Sequence, residues 1–211
     1  MAVLTQLKQG RAQRTREVLL RAAAEVFDEN GFSGASINKI LERAGVTAGA
    51  VYFHFESKEG LARAVILEQA GDLHFPPGPG GLRHLVDMTL YLASEMQHNV
   101  LLRAGVKLAV EQGESGLQEF AIHEWWIETF RQELIVAQQR GELLPGVDEA
   151  EFARILVAAY TGTQIMSRIS DEHADLTERI TVMWRYLLPG VATPAVCAEL
   201  EQAVRRTENR T

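Results

Sequence analysis

Thr47, Tyr52 and His54 fall within the single run TAGAVYFH, and each carries a side chain able to hydrogen-bond an anion. A hydroxyl, a phenol and an imidazole can all donate to phosphate oxygens. Ala48 and Gly49, lying between them, are small enough to let the backbone come close to a partner. A catalytic use finds no support. The string HEWWI opens like a metalloprotease helix, but Ile127 stands where the second histidine is required. His54, His74, His84, His98, His123 and His173 show no i, i+4 pairing, and no phosphate loop, dinucleotide fingerprint or nucleophile elbow occurs. The expectation is a non-enzyme with no catalytic residue, no metal site and no cofactor.

The distribution of charge sharpens this reading. The chain of 211 residues carries a net charge of -7, yet residues 1–70 hold 9 Lys+Arg against 8 Asp+Glu, and the remainder holds 12 against 20. Lys8, Arg11, Arg14, Arg16 and Arg21 face only Glu17 in the first 21 residues. A basic amino end on an acidic body suits an anionic partner at one end and solubility at the other. Cys197 is the sole cysteine, which excludes a disulfide framework and fits a reducing compartment. No apolar signal core and no apolar run of membrane-spanning length is visible, so a soluble, cytoplasmic and nucleoid-associated protein without membrane contact is expected. The terminal NRT matches a glycosylation acceptor only by accident.

Helices must position these residues, because strand signals are almost absent. Val18, Leu19, Ala22, Ala23, Val26 and Phe27 form one apolar stripe at helical spacing, closed by Gly31 as a left-handed cap. Ser36 caps a second helix, INKILERA, with Ile37, Ile40 and Leu41 on its apolar face. Thr47 opens a very short third helix. Ser57 caps a fourth, starting at Lys58, with Glu59 in its first turn. FPPGPGG at 75–81, with three prolines and three glycines, cannot continue a helix. Beyond it the periodicity predicts helices over about 82–98, 99–112 and 117–140, one following Asp148, one over about 174–188 ending at LLPG, and a weaker one in PAVCAELEQAV. The fold class is all-α.

INKILERAGVTAGAVYFHF has the spacing of a helix-turn-helix, with Gly45 permitting the turn and Val46 plugging inward. A third helix this short is unstable alone and must be held by packing, for which Val51, Phe53 and Phe55 are available. Thr47, Ala48, Gly49, Tyr52 and His54 are then left to face a groove. A compact helical corner with no partner would show the same spacing.

From TREVLLRAAAEVFDENGF through ASINKILERAGVTAGAVYFHFESKEGL, the chain resembles the amino-terminal domain of the tetracycline-repressor (TetR) family. The resemblance implies a three-helix helix-turn-helix DNA-binding domain at 1–57, followed by a larger helical effector-binding and dimerisation domain at 58–211. It implies a homodimeric transcriptional repressor on a double-stranded palindromic operator. Carried over position by position, the DNA-facing residues would be Arg14, Ser36, Thr47, Ala48, Gly49, Tyr52, His54 and Lys58. Many relatives place lysine where Ala48 stands, so one phosphate or base contact is missing here.

NVLLRAGVKLAVEQ, a tryptophan of IHEWWIETF, RGELLPGVD and LVAAYTGTQIMS are similar, in order and spacing, to the γ-butyrolactone and butenolide autoregulator receptors of actinomycetes. The implied effector is a small hydrophobic lactone, with control of secondary metabolism as the implied output. Ligand contacts implied are Trp126, counted back from GELLP, together with Gln69 and Thr161. Neighbouring helical residues point about 100° apart, so Trp125 and Trp126 do not line one pocket together. An exposed helix position would explain Gln69, a core or dimer-interface role the tryptophans, and helix–helix hydrogen bonds Thr161 with its polar neighbours Thr163 and Gln164. Leu85, Val86, Met88, Val106, Val110, Phe130 and Tyr160 are candidate apolar lining, and Tyr160, Met166, Met183 and Trp184 candidate dimer contacts. A ligand against Gln69 and Trp126 would displace the fourth helix and spoil the spacing of two recognition helices, about 34 Å apart in symmetric readers of this type. The alternative is a regulator of an efflux or antibiotic-resistance gene with a different hydrophobic ligand.

Overall fold

The computed structural model describes residues 2–111 and 121–200, with side chains from residue 10 onward. The expected helix start near 117, the end of PAVCAELEQAV, the NRT terminus and the Lys8 side chain lie outside the described residues. All named elements are helices, and among the described residues the only pairing of strand type is an isolated bridge between Leu143 and Ala192. They run α1 (Ala2–Gly34), α2 (Ile37–Ala44), α3 (Ala48–His54), α4 (Lys58–Glu68), α5 (Leu82–His98), α6 (Val100–Val110), α7 (Ala121–Gln139), α8 (Glu149–Asp171) and α9 (Leu176–Val191). Residues 194–200 are also helical. The all-α expectation holds, and no helix among the described residues is long and apolar enough to cross a membrane.

Two compact units emerge, Met1–Leu73 with Asn99–Ile122, and His74–His98 with His123–Thr211. The first unit therefore reaches past residue 57 and includes α4 and α6. Its core is the stripe of α1, namely Leu19, Leu20, Ala22, Ala23, Ala24, Val26 and Phe27, all buried. Val18, expected in that stripe, is 47% exposed, and Leu20 and Ala24 take part instead. Burial of α1 by α2, α4 and α6 together widens the stripe and rotates it away from Val18. The regular part of α1 breaks at Gly31, whose φ of 66° suits a residue without Cβ. Gly45, at φ 65°, ends α2 by donating to Leu41 O at 2.9 Å. Of the expected α2 face only Ile40 is fully buried; Ile37 and Leu41 are half-buried.

The second unit packs α5 against α9 and α9 against α8. Trp184 is its largest fully buried side chain, with Nε1 donating to Thr89 Oγ1 at 2.7 Å. An expected dimer contact is therefore a core residue. The reason is spacing: Leu176, Ile180, Trp184 and Leu188 recur at i, i+4 and share the buried face of α9. That helix also runs through Pro189 to Val191, past the expected stop at LLPG.

The segment after Phe75 is fastened although it is not helical. Arg140 donates to Pro79 O at 2.6 Å and Gly80 O at 2.8 Å; Glu133 accepts from Gly81 N at 3.0 Å, and Glu142 from Leu82 N at 2.8 Å. His84 faces acceptors on both ring nitrogens, with Nε2 2.9 Å from Pro76 O and Nδ1 3.0 Å from Glu133 Oε2. Only the imidazolium can donate to both. Burial pushes the His84 pKa down, but the Pro76 carbonyl and the Glu133 carboxylate outweigh it, and the net shift is upward from 6.5. A raised pKa in the folded state stabilises the fold fully below the ordinary value, and the contribution fades as pH rises through the folded value. The thermal midpoint should therefore fall as pH is taken from 6 upward through neutrality. His84→Gln should flatten that fall; an unchanged pH profile would show that this strap does not titrate.

Candidate nucleic-acid interface

The third helix has only seven residues and is held from one side. Val51 and Phe55, four residues apart, are 0% and 6% exposed and anchor it. Phe53, expected as a third anchor, is 77% exposed, which corrects that expectation. Alternating rings would share a face in a strand, but here the period is 3.6, and two residues past Val51 lies the opposite side. Ala48, Gly49, Tyr52, Phe53 and Glu56 are accordingly all exposed, at i, i+1, i+4, i+5 and i+8. Tyr52 is 59% exposed. His54 is half-buried on the flank, its ring perpendicular to Phe53 at 4.8 Å and 6.1 Å from Phe55. Thr47 occupies the N-cap position but makes no side-chain cap bond, so its hydroxyl is not used by the helix it opens.

The remaining expected residues divide between free and committed. Arg14 is exposed on α1. Ser36 accepts from Lys39 N at 3.3 Å, keeping its own hydroxyl proton for another acceptor. Lys58 is not an outward phosphate donor. Its Nζ donates to Phe32 O at 2.9 Å and Ala35 O at 3.1 Å, and sits 4.2 Å from the centre of the Phe32 ring. Carbonyls at the carboxyl end of α1 and just beyond it draw the ammonium inward. Nearby cations are engaged as well: Arg43 bridges Glu25 and Glu29, and Lys39 donates to Asn30 and to Gly34 O. The sequence pattern gave no sign of these partners, since a helix-turn-helix motif marks positions rather than ion pairs.

Arg16 ties this head to α4. It makes a two-point ion pair with Glu68, Nη1 lying 2.8 Å from Oε2, and its guanidinium lies 5.2 Å from the centre of the Phe55 ring. The bond to Glu68 holds the Arg16 pKa above its usual value. One side chain thus touches α1, the end of α3 and the end of α4. The sixth helix grips the same unit from another side. Arg103 pairs with Asp28 at 2.9 Å, Lys107 donates to Asp28 O at 2.6 Å, and Glu111 accepts from Phe32 N at 3.3 Å. Residues 103, 107 and 111 share one helical face, so α6 closes the carboxyl end of α1 with a matched row of polar groups. None of the three is predictable from α6 alone.

Gly105 sets how near α4 and α6 lie. A Cβ there would fall 2.5 Å from Gln69 Cβ and 2.9 Å from Val65 O. Gln69 itself is 1% exposed; its Nε2 donates to Ile66 O at 2.7 Å, while Oε1 has no partner. In the second unit Trp126 is half-buried within an aromatic cluster, 6.0 Å from Phe130 and 6.5 Å from Phe75, which in turn lies 5.9 Å from Tyr91. Trp125 stands 44% exposed at the margin of this cluster, its ring edge-on to that of Trp126 at 4.7 Å. Thr161 is half-buried, one position round α8 from the inward-facing Tyr160 and Gln164. Of this stretch, Tyr160 and Gln164 face inward, while Thr161 lies at the edge of the buried face. An unpaired buried polar group costs about 1–3 kcal/mol, and both Gln69 Oε1 and Tyr160 OH are in that position.

Residues 19–65 match the family model for bacterial regulatory proteins of the tetR family, and residues 80–193 match that of the tetracyclin repressor-like C-terminal domain. The chain is 40% identical over 196 residues to the A-factor receptor protein of Streptomyces griseus, covering 92% of this chain and 70% of that one. Among solved structures, full-length native TylP, a TetR regulator from Streptomyces fradiae, superposes with a TM-score of 0.82 at 42% identity, covering 94% of this chain and 96% of its own. A gamma-butyrolactone receptor described as ArpA-like superposes with a TM-score of 0.72 at 29% identity, covering 95% and 100%.

The corrected face of α3 makes a separable pair of outcomes. Phe55→Ala should lower stability by about 3–5 kcal/mol, as removal of a buried ring does. Phe53→Ala should leave the unfolding midpoint unchanged while weakening binding to duplex DNA. Equal destabilisation by both would place Phe53 back in the core.

Proposed function

The chain belongs to the tetR family of bacterial regulatory proteins, and we propose that this DNA-binding transcriptional repressor is released from its operator by a γ-butyrolactone- or butenolide-type signal. It binds operator DNA through the helix-turn-helix of α2 and α3. The contacts we assign to a palindromic duplex are Thr47, Tyr52 and His54 to phosphates, Arg14 and Ser36 at the margin, and Ala48 and Gly49 at close backbone approach. Phe53 adds an apolar surface suited to a thymine methyl group. Lys58 serves by holding the turn before α2. The A-factor and gamma-butyrolactone receptor likenesses support the ligand class, and control of secondary metabolism is the output we propose with it.

Effector contacts are assigned to Gln69 in the first unit and to Trp126 and Thr161 in the second. The observation that carries the ligand-switch reading is the Gln69 carboxamide: fully buried, half unpaired, and at the end of the helix whose other end adjoins α3. A hydroxyl or other donor on the ligand would satisfy Oε1 and alter the α4–α6 contact at Gly105. Lys58 and Arg16 would carry that movement to the turn at Phe32 and to Phe55. Coupling of this kind is typically worth ~1–3 kcal/mol and requires the ligand to favour one state.

A homodimer completes the reading. Ile155, Met166 and Ile169 on α8 are 55%, 57% and 71% exposed, and Tyr186 on α9 is 80% exposed. Such apolar groups favour burial against a second copy. They replace Tyr160 and Trp184, which lie in the interior. Met166→Glu with Ile169→Glu should shift sedimentation from dimer to monomer and abolish cooperative binding to a two-half-site operator; an unchanged dimer would reject this surface.

Operator gel shifts with a synthetic γ-butyrolactone should show release of the wild type, and a duplex retained at every lactone concentration would remove the ligand class while leaving the family intact. Gly105→Ala should push α4 off α6 and lower operator affinity at least tenfold without any lactone. Full affinity in that variant would show that the α4–α6 spacing is not what sets the recognition head.

A further inference from the structure

The buried face of α8 changes character halfway along. Phe152, Ala153 and Leu156 give way to Tyr160, Gln164 and Ser167. Packing alone does not require this change, because phenylalanine would fill the volume of Tyr160 without an orphaned oxygen. We propose that the Tyr160 hydroxyl and the Gln164 carboxamide, one turn apart, form a subsite in the second unit that binds a neutral hydroxyl or carbonyl group of the effector.

The buried hydroxyl and indole groups packed nearby on α5, α8 and α9 find partners within the protein. Trp184 donates to Thr89, Thr89 to Val86 O at 2.8 Å, and Ser167 to Asp175 at 2.5 Å. Thr181 donates to Thr177 O at 2.9 Å. Tyr160 differs: it is 8% exposed and its hydroxyl has no partner. Gln164 is 3% exposed and donates Nε2 to Met96 Sδ at 3.1 Å, a thioether and thus a weak acceptor. Burial drives the Tyr160 pKa upward, so the group stays a neutral phenol that both donates and accepts. No charged side chain lies on this buried face of α8, which suits an uncharged ligand group and would penalise a carboxylate or ammonium. An oxygen from the ligand would accept from Tyr160 and take the amide now resting on Met96 sulfur.

The subsite rests on the lactone reading and is tested so that the two can fail separately. The probes are a γ-butyrolactone with a hydroxyl on its alkyl tail and the same compound with methylene in its place. Each full-length protein is scored by the lactone concentration for half-release, relative to its own ligand-free operator affinity, and by the lactone-induced rise in Tm. Tyr160→Phe should need roughly tenfold more of the hydroxylated probe, the equivalent of one lost hydrogen bond, and should respond to the methylene probe as the wild type does. Gln164→Leu should shift in the same direction. Without lactone, Tyr160→Phe should melt no lower than the wild type, because its hydroxyl satisfies nothing in the protein. A lower ligand-free Tm, or equal response of variant and wild type to the hydroxylated probe, would overturn the subsite. Failure of the wild type to respond to either probe would overturn the lactone reading and the subsite with it.

Discussion

Phe32 is held on both sides of its own backbone, and the recognition head takes its position from that grip. Glu111 of α6 accepts its N–H, Lys58 of α4 binds its carbonyl, and its ring lies between the Lys58 ammonium and Phe27, 6.2 Å away. The turn joining α1 to α2 therefore has little freedom to move without breaking a charge-assisted bond to α4 or α6. Such bonds are roughly twice as strong as neutral ones. Gly31 makes the arrangement possible, since the Glu111 carboxylate would lie 3.3 Å from any Cβ placed there.

A seven-residue helix cannot supply its own stability, so α3 takes its orientation from neighbours. Val51 and Phe55 seat it, and Arg16 covers Phe55 while pairing with Glu68. Contacts from α1 and α4 thus converge beneath the residues that face outward. The result is a rigid platform whose exposed side carries a phenol, a phenyl ring and almost no charge. Shape and neutral hydrogen bonding, rather than a cationic surface, define its chemistry.

Local rules made most elements legible. Ser36 and Ser57 cap the helices they precede, accepting from Lys39 N and Gly60 N, and the helix expected over 82–98 is Leu82–His98. Gly31 and Gly45 sit at positive φ where helix ends were anticipated. What failed was inference about faces and partners. Phe53 was paired with Phe55 by alternation, and helical period put it outside. Lys58 follows the motif by position, yet its ammonium answers to carbonyls 26 and 23 residues earlier in the chain. Trp184 lies on the buried i, i+4 face of α9, but the partner of its indole N–H, Thr89, is 95 residues away. Of the residues proposed for the effector, Gln69 and Trp126 could be picked out as polar or aromatic groups in helices, but their degree of burial is a property of packing.

Engagement of Lys39, Arg43 and Lys58 within the fold has a kinetic side. Loose attachment to arbitrary DNA is almost wholly electrostatic, growing with the number of phosphates a protein neutralises. A head that commits these three cations internally and leaves Arg11 and Arg14 exposed, on a chain of net charge -7, has fewer charges to offer to random sequence. Fewer copies would then be held on arbitrary sequence, and hopping through solution would outweigh sliding along the double helix in the search for a target. A small number of molecules can in this way remain available for the sites they govern.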